Sequence, residues 1–266
     1  MYLTQAQLDA YDRDGFLIFP NMVSREEVEL VKQGLARACK VEDDRVIREK
    51  NGGSARMVYG LHEVEGPTGS KAVDDLARSS RLLQSARDLL DDDVYLFHTK
   101  CNLKESLTGE IWQWHQDFGY WQTDGVPRPQ MLTTMLMLDQ ATELGGCLYF
   151  VPGSHKEGTI DAPFDGQTTS VGLWTLSKDQ MTDLVERRGE PVPVVGGPGT
   201  VAMFHPNLVH GSGHNMSTHA RWHLYFVYNA VSNVMAPVKD PRPAYKASRK
   251  AIPLQLRAKE SILEFA

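Results

Sequence analysis

The sequence predicts an α+β fold in which a helical N-terminal third packs on an antiparallel β-sandwich or barrel. Two observations carry this. Two Ser/Thr-x-x-Glu/Gln capping boxes, at Thr4 and Ser24, open helices near the start of the chain. After Asp93 the pattern changes to short apolar or alternating runs divided by Gly, Pro and Asp, which is how an antiparallel core reads. The predicted organisation is one domain over 1–266: a mainly helical N-terminal region over 1–92, a β-core over 93–235 and a C-terminal tail over 236–266.

Taken in order, Thr4-Gln5-Ala6-Gln7 starts a short helix carrying Leu8 and Tyr11, and Gly15 stops it. Phe16-Leu-Ile-Phe19 is a buried strand ended by Pro20. Ser24-Arg-Glu-Glu27 starts a helix to about Ala38, with Val28, Leu30, Val31 and Leu35 on its apolar face. Residues 41–70 are polar and Gly-rich around Met57-Val58-Tyr59, which predicts a loop and a candidate lid. Residues 71–91 carry helical periodicity. Strands follow over 94–103, 111–118, 131–138, 147–151, 192–195, 200–204 and 222–231. A third capping box at Ser177-Lys-Asp-Gln180 inserts a helix that ends at Arg188, before Gly189.

Composition narrows function. Among 266 residues, 28 Lys+Arg face 34 Asp+Glu, a net charge of −6, which argues against nucleic-acid binding. The polar N-terminus and the absence of any apolar run near the ~18 residues of a membrane span predict a cytoplasmic protein with no membrane partner, a monomer or homodimer. Cys39, Cys101 and Cys147 are too scattered for a disulfide framework or a thiolate zinc site. Seven cations of the tail, among them Arg242, Lys246 and Lys259, face three acids (Asp240, Glu260, Glu264), which predicts a solvated basic tail.

The chemistry concentrates in Trp112-Gln-Trp-His-Gln-Asp-Phe-Gly-Tyr-Trp121. His115 and Asp117 stand two apart on a predicted strand, so both point to one face. Alone, H-x-D also suits a hydrogen-bonded surface pair. A third ligand could come from His205, His210, His214, His219 or His223, and His210 stands out in Val209-His-Gly-Ser212. Two His and one carboxylate leave coordination positions open, which suits non-haem Fe(II) that must take a cosubstrate and O2. A closed zinc site would want a further ligand, usually Cys, and none is placed for it. Arg221 on the next strand would take the far carboxylate of a dicarboxylate cosubstrate, since a guanidinium binds it bidentately and stays charged when buried.

These residues, with Tyr11-Asp-Arg-Asp-Gly-Phe16, Val151-Pro-Gly-Ser-His155 and His210-Gly-Ser, resemble the phytanoyl-CoA dioxygenase superfamily over most of the chain. The resemblance implies a double-stranded β-helix, a cupin-like jelly roll, with Fe(II), 2-oxoglutarate and O2 as cofactors. It implies His115, Asp117 and His210 as the metal and catalytic residues, and Lys100, Trp112, Ser212 and Arg221 as contacts of 2-oxoglutarate. Within the superfamily, Trp114 to Pro129, Val227-Tyr-Asn229 and Pro241-Arg-Pro-Ala-Tyr245 resemble ectoine hydroxylases and the free L-leucine hydroxylase type of griselimycin biosynthesis. Of three residues that ectoine hydroxylases place around substrate, only Trp121 is kept. His98 and Tyr225 stand where those enzymes have Gln and Phe.

The resulting expectation is a hydroxylase of a small free amino or imino acid (leucine-, proline- or pipecolate-like) in natural-product biosynthesis. It would abstract hydrogen from an unactivated C–H and release succinate and CO2. Ectoine, or a terpenoid or other secondary metabolite, is the alternative. Trp121, His98, Tyr225, Arg128 and Tyr59 are the expected substrate residues, with Arg128 or His98 as the cation for a substrate carboxylate.

Overall fold

The computed structural model describes residues 1–49, 53–107, 111–168, 171–258 and 261–265, the side chain of Phe265 excepted. Residues 50–52 of the predicted loop, and Lys259 and Glu260 of the predicted tail, lie outside the described residues.

The chain begins with α1 (Gln5–Asp14), β1 (Phe16–Phe19) and α2 (Arg25–Ala38). Both helices carry complete capping boxes, and Gly15 ends α1 in the left-handed conformation at φ 83°. Next come β2 (Val46–Arg48), β3 (Ala55–Tyr59), α3 (Lys71–Ala77) and, after a π-helical turn at Ser80–Gln84, α4 (Ser85–Leu90). The core adds β4 (Val94–Lys104), β5 (Trp112–His115), α5 (Asp117–Trp121), β6 (Met131–Met137) and β7 (Leu148–Phe150). A small hairpin, β8 (Phe164–Asp165) and β9 (Leu173–Trp174), precedes α6 (Lys178–Arg188). The core ends with β10 (Val192–Val194), β11 (Val201–Phe204), β12 (His210–Ser212) and β13 (Arg221–Ala230).

Two antiparallel sheets form the jelly roll. The larger runs β1-β11-β6-β13-β4-β3-β2 and the smaller β10-β7-β12-β5. Strand alternation builds the layers. On β6 and β13, Leu132, Leu136, Leu224, Phe226 and Tyr228 pack on one face against Val28, Val31, Leu35, Leu76, Leu82 and Leu83 of the helical region. On the other face, Met135, Met137, Phe204 and Tyr225 meet Leu148, Phe150 and Val194 of the smaller sheet. Burying each such side chain stabilises by roughly 1.5–3 kcal/mol before entropy is subtracted. The inner face is where polar side chains accumulate: Lys100, Asn102 and Lys104 on β4, and Arg221 and His223 on β13.

β4 carries a bulge. His98 pairs with Val227 and Leu96 with Tyr228, so Phe97 has no partner of its own. The extra residue reverses the alternation. As a result both Phe97 and His98 contact the Trp121 ring, at 5.7 and 5.9 Å between centroids.

Four expectations are corrected. The polar stretch 41–70 is not all loop. β3 joins the β4 edge in register Met57↔Asn102 and Tyr59↔Lys100, because Met57 and Val58 bury there almost completely. The 71–91 helix is broken into α3, the π-turn and α4. The 111–118 strand stops at His115, and Asp117 is the first residue of α5 rather than a strand residue. The basic tail is only partly solvated: Lys239, Arg249, Lys250 and Arg257 are exposed, but several of its cations are held by partners. Arg242 forks onto Asp124 at 2.8 and 2.5 Å, Arg249 donates to the Asp124 carbonyl at 2.5 Å, and Arg257 pairs with Asp74 and Asp75 at 2.9 and 2.8 Å. These three arginines find partners more than 100 residues upstream, as the Arg242–Asp124 separation of 118 shows. Local charge counts cannot see such pairs.

Candidate active site

β5 and β12 lie side by side, with His115 directly opposite His210. This register brings together two imidazoles far apart in sequence, their ring centroids 4.2 Å apart. Each ring is held by a carbonyl two residues earlier on its own chain: His115 Nδ1–H donates to Gln113 at 2.6 Å and His210 Nδ1–H to Leu208 at 2.9 Å. Those bonds fix one tautomer and leave both Nε2 lone pairs free, the arrangement that metal-ligating His adopts. Burial first, and then the neighbouring His210, hold His115 down to about 3, and burial also lowers His210, so both are neutral.

Asp117 reaches the same point from the start of α5, its Oδ1 4.0 Å from His115 Nε2. The Phe118 N–H donates to the Pro206 carbonyl at 3.0 Å and ties the α5 start to the loop before β12. The intervening Gln116 turns away and donates to the Asn207 and Gly158 carbonyls at 2.7 and 2.8 Å. Burial raises the Asp117 carboxyl, but the Lys100 cation and a hydrogen bond from Thr133 at 3.4 Å act against it, and the net direction is below its ordinary value. His115, Asp117 and His210 thus offer ligand atoms all within 4.8 Å of one another, buried.

Two cavities meet at this cluster. One, about 380 Å3 with its mouth, is lined by His115, Asp117, His210, Trp112, Lys100, Asn102, Ser212, Tyr225 and Arg221. Gly211 lines it where a side chain would be crowded: a Cβ would stand 3.0 Å from the Trp112 carbonyl and 3.3 Å from the Trp114 ring. Arg221, 1% exposed, is the most deeply buried cation of its lining. Among the described residues no carboxylate pairs with it, and its Nε has no partner. A buried cation without a counter-charge is costly, so the site is complementary to an anionic ligand. Lys100 presents its ammonium between the Trp112 and Tyr225 rings at 5.6 and 5.4 Å. Ser212 accepts from Lys104 Nζ at 2.9 Å.

The second cavity, about 790 Å3 with its mouth, shares Lys100, Trp112, His115 and Asp117 with the first. Tyr59, His98 and Trp121 line it as expected, together with Tyr120, Arg242 and Lys246. His98 is 2% exposed; its Nδ1–H donates to the Lys246 carbonyl at 3.0 Å, which leaves Nε2 a bare acceptor without a partner. Burial first, then Lys100 and Arg242, hold it far below its ordinary value. His98 is therefore an acceptor, not the cation the sequence suggested. Arg128 is exposed and lines neither cavity. Tyr225 lines the cavity of Arg221, not that of His98. The cations missed by sequence reasoning are Arg242 and Lys246. The one sequence signal was the Pro241-Arg-Pro-Ala-Tyr245 segment, which contains Arg242 and immediately precedes Lys246.

A His-carboxylate-His cluster at the junction of two cavities inside a jelly roll defines the class of non-haem iron oxygenases that use an oxoacid cosubstrate. The chain belongs to the Phytanoyl-CoA dioxygenase (PhyH) family, which matches residues 11–222. It is 34% identical over 262 residues to an ectoine dioxygenase of Nocardia farcinica, covering 93% of this chain and 86% of the relative. It is 28% identical over 267 residues to an L-proline trans-4-hydroxylase of Streptomyces griseoviridis, covering 96% and 97%. The fold superposes on EctD from S. alaskensis with 2-oxoglutarate and 5-hydroxyectoine at a TM-score of 0.81, with 30% identity and coverage of 96% and 88%. It also matches the iron-bound form of that protein at 0.82, with 29% identity and the same coverage. The protein is an Fe(II)/2-oxoglutarate-dependent dioxygenase with iron, 2-oxoglutarate and O2 as cofactors. Among the described residues no helix is long and apolar enough to cross a membrane.

Proposed function

We propose that the enzyme hydroxylates a small free amino or imino acid of leucine, proline or pipecolate type, within natural-product biosynthesis. His115, Asp117 and His210 would hold the iron, and bound iron with 2-oxoglutarate supplies the oxidation of an unactivated C–H, with release of succinate and CO2. Arg221 takes the far carboxylate of 2-oxoglutarate, with Ser212, Lys100 and Trp112 lining its path. Trp121, Tyr59 and Tyr120 wall the substrate and exclude water.

The observation that carries this reading is the polar pattern of the second cavity. Lys246 lies over the Tyr59 ring at 5.4 Å, and among the described residues it has no carboxylate partner. Arg242 stands beside it, fixed by Asp124. His98, bonded to the Lys246 carbonyl and lining the same cavity, offers only an acceptor. A ligand with a carboxylate at one end and an N–H donor near it satisfies both. A site built on such groups discriminates strongly against ligands that leave them unpaired. The relatives named for ectoine and for proline fit this polar pattern, so ectoine is the second reading.

The test is succinate release in air from Fe(II)-loaded protein with 2-oxoglutarate, across free amino acids, proline, pipecolate and ectoine. Turnover triggered by an amino or imino acid supports the reading. Turnover triggered by ectoine alone replaces it with the second.

A further inference from the structure

Arg221 opens β13 and His223 follows two residues later, so both side chains point inward. Arg221 Nη1–H donates to His223 Nδ1 at 3.0 Å. A guanidinium has no acceptor and keeps its protons, so His223 must be the acceptor and carry its own proton on Nε2. His223 is fully buried and does not line the cavity. Burial first, then the Arg221 and Lys104 cations, lower its pKa far below the ordinary value and keep it neutral. None of the roles assigned above uses it.

We propose that His223 is a positioning residue for the cosubstrate's distal carboxylate: it ties back Nη1 of Arg221 and so turns the Nε–Nη2 edge of the guanidinium toward the cavity as the docking fork. The proposal rests on the assignment of Arg221 to 2-oxoglutarate. The unpartnered Nε agrees with it. The chemistry of the residue matters. A carboxylate at 223 would orient the fork equally well, but it would neutralise the cation and compete with the ligand. An apolar residue would leave the guanidinium free to rotate, and each binding event would then bear the cost of ordering it. A neutral acceptor orients without neutralising.

The test is calorimetric titration of 2-oxoglutarate into anaerobic Fe(II)-loaded protein, with 2-oxopentanoate as a ligand that keeps the oxoacid end and lacks the distal carboxylate. His223→Leu should weaken 2-oxoglutarate about tenfold, the worth of one hydrogen bond to a charged group. It should leave 2-oxopentanoate unchanged. His223→Asn, whose Oδ1 falls near the place of Nδ1, should restore most of the affinity. His223→Gln, whose amide reaches the place of Nε2, should not. His223→Asp should melt higher in the ligand-free state yet bind 2-oxoglutarate more weakly than His223→Leu. In turnover, the KM for 2-oxoglutarate should rise more than kcat falls.

Wild-type affinity in His223→Leu overturns the proposal. So does an equal loss for both oxoacids, which would mark a structural role. Should His223→Leu fail to fold, His223→Asp decides: unchanged 2-oxoglutarate affinity there overturns the proposal. Arg221→Met separates the two layers. If it keeps the affinity, the Arg221 assignment itself fails; if it loses affinity while His223→Leu does not, only the role of His223 fails.

Discussion

Removing the most deeply buried cation of the first cavity should weaken ligand binding without weakening the ligand-free fold. Arg221 is 1% exposed, has no carboxylate partner among the described residues and has an unpartnered Nε. An ion in that position carries a desolvation cost of several kcal/mol. Arg221→Met nearly preserves volume and removes that cost. Against it stands the lost charged donation to His223, worth about 1.5 kcal/mol. The ligand-free variant should therefore be at least as stable as the wild type.

The ligand-bound states should diverge. At a 2-oxoglutarate concentration of about 100 Kd the wild type gains about 2.7 kcal/mol. For a chain of this size that is a rise in Tm of about 5–10 °C. Losing a bidentate charged pair, about 3 kcal/mol, weakens binding by roughly two orders of magnitude. The same concentration then stabilises the variant by less than about 0.5 kcal/mol, or about 1 °C. Thermal unfolding of anaerobic Fe(II)-loaded protein, with and without 2-oxoglutarate, reads both quantities. A ligand-free variant that melts several degrees lower and keeps the full ligand shift would refute the reasoning and make Arg221 a structural cation.

Further outcomes are expected elsewhere. Asp117→Ala should lose iron affinity and substrate-triggered succinate release together; unchanged turnover would overturn the His-carboxylate-His assignment. His98→Phe, which removes the bare Nε2 acceptor, should raise the substrate KM by about tenfold or more while leaving 2-oxoglutarate binding within about threefold, as separate titrations would show. Burial would raise the Glu27 carboxyl, but the Arg81 fork and the Ser24 and Ile262 N–H groups hold it down to about 2 from 4.5. This depressed value contributes about 3 kcal/mol above the unfolded pKa, lost as pH falls from about 4.5 to about 2. In urea unfolding the gap between wild type and Glu27→Gln should therefore close over that window, and a constant gap would contradict it. Gly125 sits at φ 92°, with a Cβ position 2.2 Å from the Ala236 carbonyl. Gly125→Ala should cost more than about 1 kcal/mol and impair substrate-triggered turnover more than 2-oxoglutarate binding, because it displaces the segment bearing Arg242.

What was legible in the sequence divides by range. The capping boxes at Thr4, Ser24 and Ser177 are local hydrogen-bond patterns and form as read. The seven predicted core strands are all present, with shifted ends, because alternation and turns are also local. The clustering of the candidate metal trio was legible because the donor chemistry itself is distinctive, although Asp117 arrives from a helix start rather than a strand. The substrate side was hidden. Lys246 and Arg242 depend on contacts more than 100 residues away, such as that between His98 and Lys246, 148 residues apart. The choice of His98 as acceptor depends on one backbone carbonyl that no residue pattern announces.

The bulge at Phe97 and His98 has a consequence for how such an enzyme can diverge. One strand serves both cavities: Lys100 and Asn102 line the side of Arg221, and His98, two residues back, lines the other. The unpaired Phe97 lies N-terminal to all three, so His98, Lys100 and Asn102 share one uninterrupted register against β13, and the Phe97 carbonyl accepts from Ser248 N–H at 2.9 Å, which joins the C-terminal segment to the strand just before them. A slip of β4 along β13 would therefore shift the lining of both cavities at once. In this scaffold the lining of the second cavity can change by substitution at His98 or through the C-terminal segment, while backbone slippage cannot alter one cavity and spare the other.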